Sequence, residues 1–181
     1  MKFLIQSSLI LVFLVFSISA QEEEEKLPRF ENYEVPLYQG KIHLPKWIKF
    51  DKEYDFWRDD LEKAVDDPKI NFAGKYFITA HSCGTQCAYY TITDLASGRD
   101  LRVLDVFSYA EPTPKTSDGY EYFTDLFYRP NSGMLIVQYQ VDLGDRNFQC
   151  RERLFLFEAG KLKPITQTRR ECGKFEEPDR L

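Results

Sequence analysis

A period-two alternation running into two cysteines four positions apart limits what this chain can become more than any other feature. Tyr76, Ile78 and Ala80 alternate with Phe77, Thr79 and His81. From Cys87 to Asp94 the habit repeats, with Ala88, Tyr90 and Ile92 set against Tyr89, Thr91 and Thr93. Successive side chains of a strand point to opposite faces, so both runs read as strands. The five residues between them, Ser82-Cys-Gly-Thr-Gln86, make an antiparallel hairpin the expected link.

The cysteines gain meaning from the start of the chain. Lys2, the apolar run Leu9-Ile-Leu-Val-Phe-Leu-Val-Phe16 and the small-residue stretch Ser17-Ile-Ser-Ala20 have the order of a secretory signal, cleaved after Ala20. The apolar run is too short for a spanning helix, which needs about 20 residues, so no membrane span is expected after cleavage. The expected location is secreted or periplasmic. There, the even set Cys83, Cys87, Cys150 and Cys172 reads as two disulfides. Cys83–Cys87 with Cys150–Cys172 is the favoured pairing, and the crossed pairings stay open.

Residues 21–45 read as an acidic leader followed by an extended arm with prolines at 28, 36 and 45. Residues 46–175 read as one globular domain, and 176–181 as a tail. Within the domain, Tyr54, Trp57, Leu61 and Val65 fall on one face of a helix, with Asp51 as its cap and Asp66-Asp67-Pro68 as its stop. Further strands are expected at 101–107, 122–129, 134–141 and 153–157, with a last edge strand at 161–168. Pro130-Asn-Ser-Gly133 is a turn signal. Two segments, 89–101 and 153–162, share a strand, an acidic residue, a Gly turn and a basic residue. The expected fold is mainly β (a β-rich α+β class). It is a twisted antiparallel meander of six or seven strands, partly propeller-blade-like, with the amphipathic helix at 51–65 packed on it.

Asn71-Phe-Ala-Gly-Lys-Tyr76, then Cys83-Gly-Thr-Gln-Cys87, then Asp94 and Gly98, together resemble a family of small secreted bacterial proteins of uncharacterised function. That family's pattern is N-F-A-G-x-Y, a strand, C-G-T-x-C, a second strand and an Asp…Gly turn. The likeness spans about 30 residues of the 181. The chain departs from it at His81 and Ser82, where members often carry an aromatic residue. The resemblance implies a bacterial exported protein and carries over no catalytic residue.

Function is less legible. The net charge is −5, and the basic pairs are isolated, which argues against nucleic acid, whose phosphates need clustered Lys and Arg. No spacing of His, Cys or acidic residues matches a zinc or calcium motif, and no Gly-rich phosphate loop is present, so neither metal nor cofactor is expected. Three residues separate Cys83 from Cys87, and strands flank them; this is the setting of a structural staple rather than a redox pair on a helix. A disulfide-bonded Cys83 cannot act as a nucleophile beside His81, which reads as a hydrogen-bonding strand residue. The expectation is a non-catalytic binding protein with a protein partner, of the inhibitor or immunity type against a secreted hydrolase. Its candidate surface combines Ser82, Gly84, Thr85 and Gln86 with Tyr109, Asp118 and Tyr120. The alternatives are an exported hydrolase using acid–base carboxylates or His81, and an envelope structural component.

Overall fold

The computed structural model describes residues 27–174. The signal segment 1–20, the acidic run 21–26 and the tail 176–181 lie outside the described residues. Ten strands fall into three antiparallel sheets, each wound in chain order. The first holds β1 (Lys49–Asp51), β2 (Phe56–Arg58) and β3 (Ala64–Val65). The second holds β4 (Tyr76–Gly84), β5 (Cys87–Asp94) and β6 (Arg99–Leu101). The third holds β7 (Tyr122–Tyr128), β8 (Met134–Asp142), β9 (Phe148–Glu158) and β10 (Lys161–Pro164). The mainly β, antiparallel meander expected from the sequence is the observed class, divided among sheets rather than running as one.

The helix expected at 51–65 is not formed; β1, β2 and β3 occupy those residues. Asp51 does cap, but its Oδ1 accepts the Glu53 and Tyr54 N–H groups to open a turn. Asp55 (φ 57°) and Glu62 (φ 58°) are left-handed, which interrupts any helix at two points. Two of the four residues assigned to the helical face, Tyr54 and Leu61, are exposed. Trp57 and Val65 instead face each other across the β2–β3 pairing. Residues 101–107 also differ from expectation. The strand there stops at Leu101, and a short 3-10 turn follows at Asp105–Phe107. The last strand ends at Pro164 rather than Thr168.

Alternation places the core between layers. On β4, Phe77 faces the first sheet, meeting Ile48, Leu95, Trp57 and Val65. Ile78 faces the opposite way, with Tyr90 and Ile92, onto Leu135, Val137, Phe155 and Phe157 of the third sheet. On β8, Met134 and Ile136 turn to the third sheet's other side, where Phe30 from the N-terminal arm covers them. β4 and β8 therefore each spend both faces on packing. The two similar segments, 89–101 and 153–162, both form hairpins, with Asp94 paired to Arg99 and Glu158 to Lys161.

The residues behind the family resemblance build the join between layers. Asn71 imitates a neighbouring strand. Its Nδ2 donates to the Ile78 carbonyl at 2.8 Å, and its Oδ1 accepts the Ile78 N–H at 2.7 Å. Phe72 is fully buried in the central core. Gly74 has φ +80°, and a Cβ there would lie 2.3 Å from the Pro36 carbonyl oxygen, so a side chain is excluded twice over. Asp94 closes the β5–β6 turn by accepting the Ala96 N–H and pairing with Lys75 at 2.8 Å.

Candidate functional site

Both expected disulfides are present, Cys83–Cys87 and Cys150–Cys172, with no free cysteine among the described residues. The first crosses the tip of the β4–β5 hairpin. Ser82, Cys83, Gly84, Thr85 and Gln86 are all exposed there. Gly84 (φ +133°) and Gln86 (φ 56°) bend the tip, and a Cβ on Gly84 would meet nothing within 4 Å. The tip is thus cross-linked, kinked and open to solvent.

The structure divides the remaining candidate residues. Tyr109 joins the hairpin: its N–H and C=O exchange hydrogen bonds with Ala88 at 2.8 and 2.9 Å, and Ala88 pairs with Ser82. Its ring meets Phe123 edge-on at 5.2 Å, and burial, then the nearby Asp125 carboxylate, push its hydroxyl pKa up. Tyr109 therefore ties the stapled tip to the third sheet. Asp118 and Tyr120 belong to a separate small turn, closed by Thr116 and Tyr120. Asp118 is held to β9 by a bidentate pair with Arg151 at 2.9 and 2.7 Å. Hydrogen bonds from Arg151 and then Thr116 keep its carboxyl well below the ordinary range.

His81 lies elsewhere, between the first and second sheets, and its side chain is only 1% exposed. Its Nδ1 meets Asp59 Oδ2 at 2.8 Å and its Nε2 meets Thr91 Oγ1 at 2.9 Å. Tyr89 stacks on the ring at 4.4 Å, and Trp47 meets it edge-on at 4.8 Å. The other Asp59 oxygen accepts the Leu61 and Lys63 N–H groups, both at 2.9 Å. Burial pushes the Asp59 carboxyl up, but these bonds, that of His81 foremost, outweigh it and hold it below its usual value. Carboxylate, imidazole and hydroxyl stand in the order of a hydrolase triad. In this structure the imidazole and the carboxylate are buried beside aromatic rings while Thr91 is half-buried, and the visible role of the array is to clasp the β2–β3 turn onto β4 and β5.

Thr79, across from Thr91 in the register, has a buried Oγ1 without a hydrogen-bond partner among the described residues. An unsatisfied buried hydroxyl costs about 1–3 kcal/mol. Thr79→Val is expected to raise stability by about 1 kcal/mol, read as a higher urea midpoint at unchanged slope. A lower midpoint would mean that the oxygen is satisfied by ordered water.

Asp59, Thr91 and Arg151 escaped sequence reasoning because their partners are distant in the chain. Glu152 left a signal: it stands two positions before Leu154 and so shares a buried strand face with it. Among the described residues, no group of three or more His, Cys, Asp or Glu side chains is placed to hold a metal ion. No helix there is long and apolar enough to cross a membrane. No protein-family model matches the chain, and no curated protein or solved structure matches it significantly.

Proposed function

We propose that this chain is an exported, disulfide-stabilised, non-catalytic binding protein, secreted or periplasmic, whose partner is another protein. The observation that carries this reading is the stapled β4–β5 tip, solvent-exposed at Ser82–Gln86 and braced by Tyr109. A loop fixed before binding loses little conformational freedom on docking, which favours recognition. Two disulfides fit an oxidising compartment, and the signal-like first 20 residues supply the route there. An inhibitor or immunity-type role against a secreted hydrolase suits the acidity and size, and it is the form of the proposal we favour. The resemblance of Asn71–Tyr76 and Cys83–Cys87 to small secreted bacterial proteins supports export and says nothing of the partner.

The test uses the Cys83→Ser/Cys87→Ser double variant. A loop this short contributes about 2 kcal/mol, so the fold is expected to survive while partner retention from a secreted or envelope fraction falls. Retention equal to that of the parent protein, in variant that is folded by circular dichroism, would remove the tip from the interface. The inhibitor form further requires that the purified protein suppress the activity of the retained hydrolase.

A second reading, an exported hydrolase, draws on the Asp59–His81–Thr91 order at 2.8 and 2.9 Å. It requires ester or amide hydrolysis that His81→Phe abolishes in folded protein.

A further inference from the structure

Between the third sheet and the connection that follows β6, a groove of about 590 Å³ opens at the surface. Tyr122, Tyr139 and Phe155 form its aromatic side, and Val106, from the 3-10 turn before β7, forms a lip. Val106 is 72% exposed, the most exposed of the large apolar side chains among the described residues. Tyr122 and Tyr139 meet edge-to-face at 5.4 Å. Arg153 and Lys161 are the charged residues of the lining, which includes no carboxylate. In a chain of net charge −5, this is a local reversal of sign. Neither cation forms an ion pair among the described residues. Arg153 is nonetheless positioned. Its Nε donates to the Thr166 carbonyl at 3.2 Å, and its guanidinium lies 5.5 Å from the Phe155 ring centre. Burial, then the neighbouring Tyr122, push the Tyr139 hydroxyl pKa up to about 12, so it stays a donor.

We infer that this groove receives a segment of a protein partner that presents a carboxylate beside an apolar side chain, an inference that rests on the protein-binding reading above. The aromatic side and Val106 would take the apolar group, and Arg153 with Lys161 would take the carboxylate. Charge complementarity selects an acidic segment over a basic one. The groove is wide open to solvent, which suits an extended chain better than a small molecule, whose sites enclose most of the ligand surface. Two cations are too few for a nucleic-acid backbone.

The probe is the capped tetrapeptide acetyl-Asp-Phe-Asp-Leu-amide, titrated into the labelled protein and followed by amide chemical shifts. Shifts are expected around Val106, Tyr139 and Leu162. Lys161→Glu and Val106→Ser, both at exposed positions, should each weaken binding by about tenfold. Equal binding of the lysine counterpart, acetyl-Lys-Phe-Lys-Leu-amide, overturns the inference, as do shifts confined to other surfaces or none at millimolar peptide. A concentration-dependent dimer broken by Lys161→Glu would assign the groove to a second copy and equally overturn it. A protein partner retained undiminished by Lys161→Glu sinks the groove and leaves protein binding standing. Peptide seated in the groove with no protein partner retained sinks the protein-binding reading instead.

Discussion

Replacing Asp59 with alanine is expected to destabilise the protein by about 3–5 kcal/mol in urea unfolding, the cost of breaking a buried, hydrogen-bonded pair from one side. Asp59 is fully buried, and its carboxylate serves three donors: His81 Nδ1 and the Leu61 and Lys63 amides. Alanine leaves all three without an acceptor, the His81 Nδ1 in a buried position. Asp59→Asn separates the contributions. Its amide oxygen can still accept the two turn N–H groups but brings no charge to His81, so an intermediate loss of about 1–2 kcal/mol is expected. In a His81→Phe background, where the aromatic contacts to Tyr89 and Trp47 persist, Asp59→Ala should cost measurably less than in the parent. Equal costs in both backgrounds would show that the pair is not the clasp. A loss below about 1 kcal/mol for Asp59→Ala would place the carboxylate in water rather than between the sheets.

The same cluster shows where sequence reasoning stops. Local alternation was enough to locate β4, β5, β7 and β8, because a strand with one or both faces buried repeats every second residue. Cysteine spacing and export context were enough to favour the disulfide pairing that is present. The segment 51–65 misled because Tyr54, Trp57, Leu61 and Val65 happen to satisfy helical spacing, while turns at Asp55 and Glu62 carry no glycine to announce a left-handed residue. What replaced the helix is held by Asp59 reaching His81, 22 positions away, and no period within the segment encodes that partner. The groove was invisible for a related reason. Val106, Tyr139, Arg153 and Lys161 come from separate elements, and only the pairing of β8, β9 and β10, with the 3-10 turn laid beside them, brings them together. The candidate loop was half legible. Tyr109 does brace the stapled tip, whereas Asp118 is engaged by Arg151 on β9 and is less free to meet a partner than a surface aspartate would be.

Glu152→Ala is the second large effect, expected at about 3 kcal/mol or more. The carboxylate is 1% exposed at the centre of β9. Its Oε2 accepts Gln138 Nε2 and the Gly173 N–H, both at 2.9 Å, and its Oε1 meets Arg169 Nη1 at 3.3 Å. Glu152 and Arg169 also exchange backbone hydrogen bonds, so one residue fastens the returning C-terminal segment by side chain and main chain. Gly173 adjoins Cys172, whose disulfide to Cys150 fastens the same segment from two residues earlier on β9. The two fastenings act on one unit. Closing a loop of 22 residues contributes about 3 kcal/mol by itself. If the carboxylate holds the segment only while the disulfide keeps it near, Glu152→Ala should cost clearly less in a Cys150→Ser/Cys172→Ser background than in the parent. The coupling in that double-mutant cycle is expected to exceed about 1 kcal/mol. Additive losses would mean that residues 165–174 dock through their other contacts, chiefly the Ile165 and Thr166 bonds to Leu154, without help from the carboxylate. Amide exchange gives the local readout. Protection at Arg169 and Gly173 should fall in Glu152→Ala well before protection on β8 does, because the segment opens as its own unit while the sheet core remains closed.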